Sequence, residues 1–544
     1  MKITKRNSLM AVALASILGT GSAFAAPALT FDLAWTATGT VSAPPGEDVA
    51  GTEIVAIDAA SGRVFITYPG YPDQGIASGI EIRNLADGTL IGVTEAPQGW
   101  SVNSVAVKNG IVAVAAAAPN KTDPGQIAFF NTTDAPGSAP IDSISVGSLP
   151  DMVTFTPDGN KVLVANEGEP NDAYTIDPNG SVSIIDISGG VLGASVTNLD
   201  FTAFNGDEAA IEAAGGRIFG NNDTATVAQD LEPEYITVTP DGSTAFVTLQ
   251  ENNMVAKIDL ATNAIELQGL GYKDHSLPGN ELDASNQDGI DGNLQNWPVL
   301  GMYQPDAIDS YEFNGQMYYV TANEGDARDY DGYSEELRVR DLALDLNDDG
   351  VADAFSPLQD NDQLGRLKTT TANGDIDGDG LFEQVFSYGA RSFSIWDDNG
   401  NLVFDSGNLI ETIIANEFPA QWQEGRSDDK GPEPESIKLA QLGDWMYALV
   451  GLERTSGFML FDVTDPNNPL YMDYIFNGID IGPEGIDFSL MFAGDASTQA
   501  WGYLAVSHEV SNTVSVYKVS QVPLVPTAAL LGLGLLALRL RKRR

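Results

Sequence analysis

Two short stretches of the chain carry acidic residues at the spacing of a calcium-binding loop. Their residues are Asp345, Asn347, Asp349 and Asp353 in the first stretch, and Asp375, Asp377, Asp379 and Glu383 in the second. These residues occupy loop positions one, three, five and nine, and a glycine at position six permits the sharp turn. Both stretches lack the glutamate at position twelve that completes an EF-hand. We expect two calcium loops that resemble thrombospondin or dockerin repeats, each completed by another segment; the alternative is a pair of acidic turns without metal.

A second set of carboxylates recurs at the two ends of a repeated strand pair. The residues before the first strand are Glu53, Asn103, Asp151, Glu234, Asp306, Glu435 and Glu484, and those after the second strand are Glu167, Glu251, Glu324, Glu453 and Glu509, with Glu169 and Asp326 close behind. If the repeats surround one axis, the residues before the first strands and those after the second strands lie on the same face of the ring. Carboxylates crowded there repel one another, so they need bound cations or raised pKa values. We expect a shared metal or ligand mouth; the alternative is that each acid only caps a turn.

Few residues are available for catalysis. Arg328 and Arg391 are able to clamp a phosphate or carboxylate, although such arginines more often pair with neighbouring acids. His508 is a possible general base or ligand, or a packing residue at a strand end. The candidate catalytic residues are therefore Glu324, Asp326, Arg328, Arg391 and His508. The sequence has no serine-nucleophile or phosphate-loop signature.

The composition restricts the chemistry to oxygen ligands. The 544 residues include no cysteine and two histidines, which excludes disulfides, thiolate metal sites and a three-histidine centre. An ion bound here is held by oxygen, and we expect Ca²⁺. The formal net charge of −49 makes nucleic acid a poor partner.

The acidic positions recur because the strand pair recurs. Copies begin near residues 52, 101, 150, 233, 305, 434 and 483, and each runs through a turn that often contains glycine into a second strand. A hairpin repeated in this way is typical of a β-propeller. We predict an all-β fold, a seven-bladed β-propeller over residues 26–520, with insertions near 205–230, 273–302 and 327–388. The last blade lacks an outer strand, which we expect the segment from Leu29 to supply.

Both ends of the chain resemble targeting segments. Residues 1–25 combine a basic start, an apolar run and Ala23-Phe24-Ala25, which predicts a signal peptide cleaved before Ala26. Residues 522–544 contain a short apolar run and a basic end, and they resemble carboxy-terminal sorting tails of the PEP-CTERM type. Removing both segments takes away eight of the 27 basic residues and none of the 76 acidic ones, leaving a net charge of about −57. We expect export to the periplasm or cell surface, with the tail recognised by sorting machinery.

Several short motifs carry a family resemblance. They are Asn166-Glu167-Gly168-Glu169, Leu231-Glu232-Pro233-Glu234, Asn323-Glu324-Gly325-Asp326, Tyr388-Gly389-Ala390-Arg391, Ser427-Asp428-Asp429-Lys430 and Gly431-Pro432-Glu433-Pro434-Glu435. Together they resemble the choice-of-anchor-I family of bacterial surface proteins and the related mesenchyme-specific cell-surface glycoproteins, which are linked to biomineralisation. The resemblance covers residues 29–519 and implies a secreted propeller attached through varying carboxy-terminal signals. Some relatives carry alkaline-phosphatase or phytase-like labels.

Two functions remain open from the sequence. The first is a secreted, envelope-anchored calcium-binding propeller that acts as a ligand- or mineral-binding surface module. The second is a calcium-dependent phosphoesterase, in which mouth carboxylates hold metals that activate water and an arginine clamps the phosphate. The expected partners are divalent cations, with phosphate-bearing or surface ligands in either case.

Overall fold

The structure of the protein is a computed structural model that describes residues 26–41, 51–71, 74–353, 357–494 and 498–522. Both predicted targeting segments, apart from Val522, therefore lie outside the described residues. None of the helices in the described part is long and apolar enough to cross a membrane.

Strands dominate the described residues. In chain order, the first seventeen are β1 (Leu29–Thr38), β2 (Val55–Asp58), β3 (Arg63–Tyr68), β4 (Gly79–Asn84), β5 (Leu90–Glu95), β6 (Ser101–Lys108), β7 (Ile111–Ala117), β8 (Pro124–Asn131), β9 (Asp142–Ser148), β10 (Pro150–Phe155), β11 (Lys161–Asn166), β12 (Ser181–Asp186), β13 (Ser195–Asp200), β14 (Pro233–Val238), β15 (Thr244–Leu249), β16 (Met254–Asp259) and β17 (Ile265–Gly269). The remaining strands are β18 (Tyr272–Asp274), β19 (Leu300–Met302), β20 (Ile308–Phe313), β21 (Gln316–Asn323), β22 (Asp329–Tyr330), β23 (Tyr333–Ser334), β24 (Glu336–Arg338), β25 (Lys368–Thr370), β26 (Phe386–Ser387), β27 (Ser392–Asp397), β28 (Leu402–Asp405), β29 (Pro434–Leu442), β30 (Trp445–Leu452), β31 (Phe458–Asp462), β32 (Leu470–Ile475), β33 (Pro483–Phe492), β34 (Trp501–His508) and β35 (Thr513–Gln521). The helices are α1 (Glu208–Ala213), α2 (Gly220–Asp223), α3 (Val227–Asp230) and α4 (Leu409–Glu417).

The strands form seven four-stranded antiparallel sheets within the described ranges. In chain order the sheets are β2–β5, β6–β9, β10–β13, β14–β17, then β20, β21, β27 and β28, then β29–β32, and finally β33, β34, β35 and β1. We number these sheets as blades one to seven. The first strands of successive blades touch one another in order, and β33 of blade seven touches β2 of blade one. The sheets therefore surround one axis as a β-propeller, and the all-β prediction is confirmed.

The N-terminal strand closes the ring as the sequence predicts. Strand β1 pairs antiparallel with β35, from Leu29 opposite Gln521 to Thr38 opposite Thr513. Trp35 points from β1 towards blade one, where its indole Nε1 donates a hydrogen bond of 2.8 Å to the carbonyl of Leu85. The last sheet thus combines the two ends of the chain, which removes an exposed edge.

Residues buried between sheets explain why the blades stack. The second strands read as nearly continuous apolar runs, for example Lys161–Asn166 and Thr244–Leu249, whose residues after the first are all buried. Each of these strands lies in a blade that is packed between two other blades. Both of its faces are therefore covered by side chains of adjacent blades. Blades three and four share one hydrophobic cluster that includes Leu163, Val182 and Val247.

The predicted insertions all leave from one face of the propeller. The segments 201–232 and 270–303 follow the outer strands β13 and β17, and the segment 324–391 lies between β21 and β27. The second and third of these pack together, because a hydrophobic cluster that includes Leu282, Trp297, Val339 and Leu367 is built from them alone. The segment 406–433, which contains α4, is a further insertion that the sequence did not predict.

Ring closure by β1 provides a stability test. Replacing Trp35 by alanine removes a side chain that is 8% exposed, and it is expected to lower the free energy of unfolding by about 3–5 kcal/mol. Leu33→Ala, on the same strand but 48% exposed, is the matched control and is expected to change it by less than about 0.5 kcal/mol. Urea denaturation measures both values, and equal effects would contradict the closing role of Trp35.

Candidate functional site

The repeated acidic residues lie on the face that carries the insertions. Asp151, Glu234, Glu435 and Glu484 each occupy the second position of a first strand, and Asp306 precedes β20. The second strands run in the opposite direction, so the residues that follow them return to the same face. We call this set of carboxylates around the axis the mouth.

Three mouth residues approach closely enough to share a metal ion. One carboxylate oxygen each from Asp306, Glu324 and Glu435 lies within 4.8 Å of the others. Calcium binds oxygen at about 2.3–2.6 Å, so two of its ligands are separated by at most about 5 Å. The spacing of these three oxygens therefore fits a calcium ion, although further ligands are needed for a full shell.

Burial and mutual repulsion raise the pKa values of the mouth carboxylates. Burial, with the charge of Glu169, raises the pKa of Asp151 to about 7. Burial also raises the pKa of Glu484 to about 7 and that of Glu453 to about 9, and neighbouring carboxylates add to both shifts. For Glu435, burial raises the pKa well above its usual range, and Glu484 is the strongest neighbouring charge. The mouth is therefore unfavourable for carboxylates that are all ionised.

Most of these carboxylates have no cationic partner. Among the described residues, no Lys, Arg or His side chain lies within ion-pair distance of the following nine acids: Glu53, Asp151, Glu167, Glu234, Glu251, Asp306, Glu435, Glu484 and Glu509. Burial is the main cause that raises the pKa of Glu53, Glu167 and Glu234 well above the usual range, and nearby mouth acids add to it. Neutralisation of this set requires protons or bound cations.

One side of the mouth is neutralised by the protein itself. Lys430 Nζ lies 2.7 Å from Glu324 Oε1 and 3.4 Å from Asp326 Oδ1. Glu433 is completely buried and contacts Arg426 Nε at 2.7 Å and Arg454 Nε at 2.9 Å. The unpaired acids are therefore concentrated outside this basic cluster.

The mouth contains a cavity lined by acidic residues. A cavity of about 310 Å³ is lined by Glu53, Asp151, Asp306, Glu484 and Glu509. A second cavity, of about 510 Å³, continues along the first strands of the blades. The two cavities are neighbours, because Ile54, Ser104, Met152 and Tyr235 line both of them.

The blade-three side of the mouth extends into the insertions. Glu169 Oε1 accepts a hydrogen bond of 3.2 Å from Tyr330, and Glu169 also pairs with Lys121. Glu232 has no exposed surface, and neither of its carboxylate oxygens has a hydrogen-bond partner in the described structure. Burial raises the pKa of Glu251 to about 7, and its Oε2 is likewise without a hydrogen bond. Buried oxygens of this kind are where waters or ions are expected.

Arg328 is enclosed in ion pairs. Its guanidinium contacts Asp230 and lies 3.3 Å from Glu232 Oε2, and its side chain has no exposed surface. The ring of Phe219 lies between Arg328 and Arg217, with guanidinium-to-ring distances of 4.7 and 4.1 Å. Arg328 holds the insertions together, so the geometry gives no support to a role as a phosphate clamp.

Arg391 is also enclosed. Its Nη1 contacts Glu411 at 3.0 Å, and its Nη2 donates to the carbonyls of Ser427 and Asp429 at 2.8 and 2.9 Å. These contacts fix the unpredicted 406–433 insertion against blade five. Arg391 is 1% exposed, so a clamp for a bound phosphate is not supported here either.

His508 is buried at the end of β34. It is 2% exposed, and neither ring nitrogen has a hydrogen-bond partner in the part of the chain that the structure describes. Burial lowers its pKa to about 4, so the ring is neutral near pH 7. A neutral imidazole is chemically suited to accept a proton, but this ring is not accessible to a substrate in the structure.

The two predicted calcium loops have matching conformations. In the first loop, Asp345 accepts a hydrogen bond of 2.8 Å from the amide of Gly350; in the second, Asp375 accepts one of 2.9 Å from Gly380. Gly350 and Gly380 have φ values of 72° and 88°, the left-handed region that favours glycine. The loops pair through a parallel bridge between Leu344 and Phe382.

The ninth position of each loop turns back towards its start. Asp353 accepts a 3.1 Å hydrogen bond from the amide of Leu346, and Glu383 accepts one of 2.7 Å from Ile376. One oxygen each from Asp375, Asp377 and Glu383 lies within 4.8 Å of the others. The remaining predicted ligands, Asn347, Asp349 and Asp379, lie in the same loops. The second loop therefore presents three oxygens at calcium spacing.

Several residues of the site were not predicted from the sequence. They are Lys430, Glu433, Arg454, Glu232 and Tyr235. Glu433 and Glu232 each lie two residues before a predicted mouth acid, with a proline between, and Arg454 directly follows Glu453. This repeated spacing was an available signal for the two glutamates, whereas the approach of Lys430 to Glu324 depends on the fold.

Two curated proteins are similar to part of the chain. The mesenchyme-specific cell surface glycoprotein of Strongylocentrotus purpuratus is 28% identical over 343 residues, which cover 55% of this chain and 42% of that protein. Gigasin-3a of Magallana gigas is 29% identical over 135 residues, which cover 22% of this chain and 47% of that protein. The chain thus spans less than half the length of these two relatives.

Two solved structures are similar at low sequence identity. The WD40 domain of coronin from Toxoplasma gondii has a TM-score of 0.41 at 9% identity, with 92% of this chain and 90% of that chain covered. Hydrazine synthase from Kuenenia stuttgartiensis has a TM-score of 0.42 at 12% identity, with 87% and 98% covered.

A family model gives broader coverage than the curated relatives. The choice-of-anchor I domain matches residues 53–466, which include the whole of blades one to five and most of blade six. The chain therefore belongs to the choice-of-anchor I family.

Proposed function

We propose that this protein is a secreted, envelope-anchored β-propeller whose mouth and paired loops bind calcium, and that the calcium-loaded mouth binds a surface ligand or mineral. Membership of the choice-of-anchor I family supports a surface module. The name of the Strongylocentrotus purpuratus relative, a cell surface glycoprotein, is consistent with the same location.

The observation that carries the proposal is the set of nine mouth carboxylates without an ion pair. Protonation neutralises such groups at low pH, and a divalent cation neutralises two of them at once at neutral pH. Carboxylate oxygens suit calcium, which accepts six to eight oxygen ligands in flexible geometry. Asp306 and Glu435 from this set would hold one ion together with Glu324, which also pairs with Lys430, and other acids of the set would hold further ions.

Bound calcium would change what the mouth attracts. A bare ring of carboxylates repels anions, whereas a calcium ion with open coordination positions accepts oxygen ligands from outside the protein. Phosphate, carboxylate and carbonate oxygens have this chemistry, so both an anionic surface polymer and a calcium mineral are compatible ligands. Lys430 beside Glu324 would add a fixed positive charge next to such a ligand.

The paired loops would serve a structural role. They belong to the cap formed by the second and third insertions, whose hydrophobic cluster includes Leu344 and Phe382 at its edge. Asp345, the first residue of its loop, is 1% exposed and anchors the loop at this cluster, whereas residues 346–350 are exposed. Calcium in the loops would fix the cap beside the mouth.

The direction of the last strand supports a display of the propeller in which the mouth faces away from the envelope. Strand β35 runs from Thr513, beside His508 at the mouth face, to Gln521 at the opposite face. There the amide of Val522 donates a hydrogen bond of 2.8 Å to the carbonyl of Ala28. A tail that continues from Val522 would therefore hold the propeller by the face opposite the mouth.

Removal of one mouth ligand tests the calcium proposal. Glu435→Gln is expected to weaken calcium binding at the mouth by at least about tenfold, because even partners outside the coordination shell contribute that much to metal sites. Glu312→Gln, an exposed change at the far end of β20, is the matched control and should leave binding unchanged. Calorimetric calcium titration measures both variants.

Asp375→Asn tests calcium binding in the loops independently of calcium binding at the mouth. It should remove a loop site and leave the site that depends on Glu435 intact. Calcium binding that is identical in wild type and Glu435→Gln would contradict a mouth site.

The raised pKa values predict how stability depends on pH. Carboxyls with raised pKa bind protons more readily in the folded than in the unfolded state, so stability falls as pH rises between the two values. The folded values are about 7 for Asp151, Glu251 and Glu484 and about 9 for Glu453. In a chelator, the melting temperature should therefore drop between about pH 5 and pH 8. Saturating calcium should reduce this drop, since the ion replaces the protons; a chelated protein that is more stable at the higher pH would contradict the account.

The phosphoesterase alternative is tested by direct assay. Arg328 and Arg391 are buried in ion pairs, so the geometry supports this alternative less well. Calcium-loaded protein incubated with a generic phosphomonoester and with phytate is expected to show no chelator-sensitive hydrolysis. Hydrolysis that disappears both with chelator and in Glu324→Gln would establish the alternative instead.

A further inference from the structure

Ala26 occupies a closed position at the boundary of blades six and seven. It is 8% exposed and packs in a hydrophobic cluster with Leu442, Tyr447 and Ala500. Its backbone nitrogen donates a hydrogen bond of 3.2 Å to Asp462 Oδ2, a residue 436 positions later in the chain. Ala26 is therefore held by its nitrogen as well as by its side chain.

The two residues after Ala26 are fixed in the same way. The carbonyl of Pro27 accepts a hydrogen bond of 2.8 Å from the hydroxyl of Tyr447. The carbonyl of Ala28 accepts one of 2.8 Å from the amide of Val522. This short segment leads directly into β1, so its position sets where the closing strand begins.

Asp462 is a buried carboxylate that lacks a cation. It is 7% exposed, and Oδ1 accepts a hydrogen bond of 3.0 Å from the amide of Thr464. No Lys, Arg or His side chain of the described ranges forms an ion pair with it. A buried charge is expected to be paired, so the environment of Asp462 is incomplete.

Processing of the chain would supply the missing charge. The Ala23-Phe24-Ala25 pattern predicts hydrolysis of the peptide bond between Ala25 and Ala26. Water adds across that bond, leaving a carboxylate on Ala25 and an amine on Ala26. With a pKa of about 7.7–8.0 in ordinary surroundings, the new amine takes up a proton near neutral pH. The nitrogen that now donates one amide proton to Asp462 would become an ammonium with three protons.

We propose that Asp462 is the receptor for the α-ammonium of Ala26, and that removal of the leader completes a buried ion pair which fixes the closing strand against blade six. The proposal rests on the export part of the proposed function and is independent of calcium. It makes the processed N-terminus a structural element of ring closure, so folding in its final form depends on the position of the cut.

The test compares two N-termini and two residues at position 462. One chain begins at Ala26 and the other at Phe24, which keeps two leader residues and leaves an amide at Ala26; both continue to Arg544. Each is made with Asp462 and with Asp462→Asn, and calcium is held constant. Asp462→Asn is expected to lower the melting temperature of the chain that begins at Ala26 by about 3 °C more than that of the longer chain. An equal shift in both chains would overturn the proposal.

Chemical reactivity gives a second measurement that does not require the variant to fold. The α-amine of the wild-type chain that begins at Ala26 should react with an amine-acylating reagent at least about tenfold more slowly after folding than in denaturant, because the ion pair and burial protect it. The α-amine of the chain that begins at Phe24 serves as the accessible control. Mass spectrometry of the N-terminal peptide measures both rates, and equal reactivity of the two folded chains would contradict the buried pair. Loss of calcium binding with a protected Ala26 amine would count against the proposed function only.

Discussion

Repulsion among carboxylates that the propeller holds around its axis is the constraint on which the rest of the site depends. Two unit charges about 5 Å apart interact by about 3 kcal/mol at an effective dielectric constant of about 20. Asp306, Glu324 and Glu435 place three oxygens within 4.8 Å of one another. Without a counter-ion, full ionisation of these three would cost an amount comparable to the total stability of a typical domain, about 5–15 kcal/mol, and Lys430, 2.7 Å from Glu324, supplies one positive charge against three negative ones. The protein must hold protons or cations there.

The fold makes this arrangement possible by geometry rather than by local sequence. Asp306, Glu324 and Glu435 are separated along the chain, yet their strands begin or end on one face of one ring. Closure of the ring by β1 keeps that face in place. The insertions and the basic cluster around Glu433 then cover or neutralise part of the face, and five of the nine acids without ion pairs line the cavity.

The blade strands, the closing strand and the predicted mouth positions could be read from the sequence, because a repeated hairpin fixes which positions return to the same face. The loop conformations also followed from local chemistry, since Gly350 and Gly380 were needed for the turns. Other features depend on contacts between distant segments. Arg328 meets Asp230 across 98 positions, and Lys430 meets Glu324 across 106. The shared core of the second and third insertions, which includes Leu282 and Leu367, arises in the same way, so the sequence indicated only separate insertions there.

Anomalous X-ray scattering from crystals grown in calcium measures the central claim most directly. The account predicts anomalous peaks at the mouth, one of them within coordination distance of Asp306, Glu324 and Glu435, in addition to peaks in the paired loops. Peaks confined to the loops, with the mouth carboxylates free of any ion at saturating calcium and neutral pH, would contradict it.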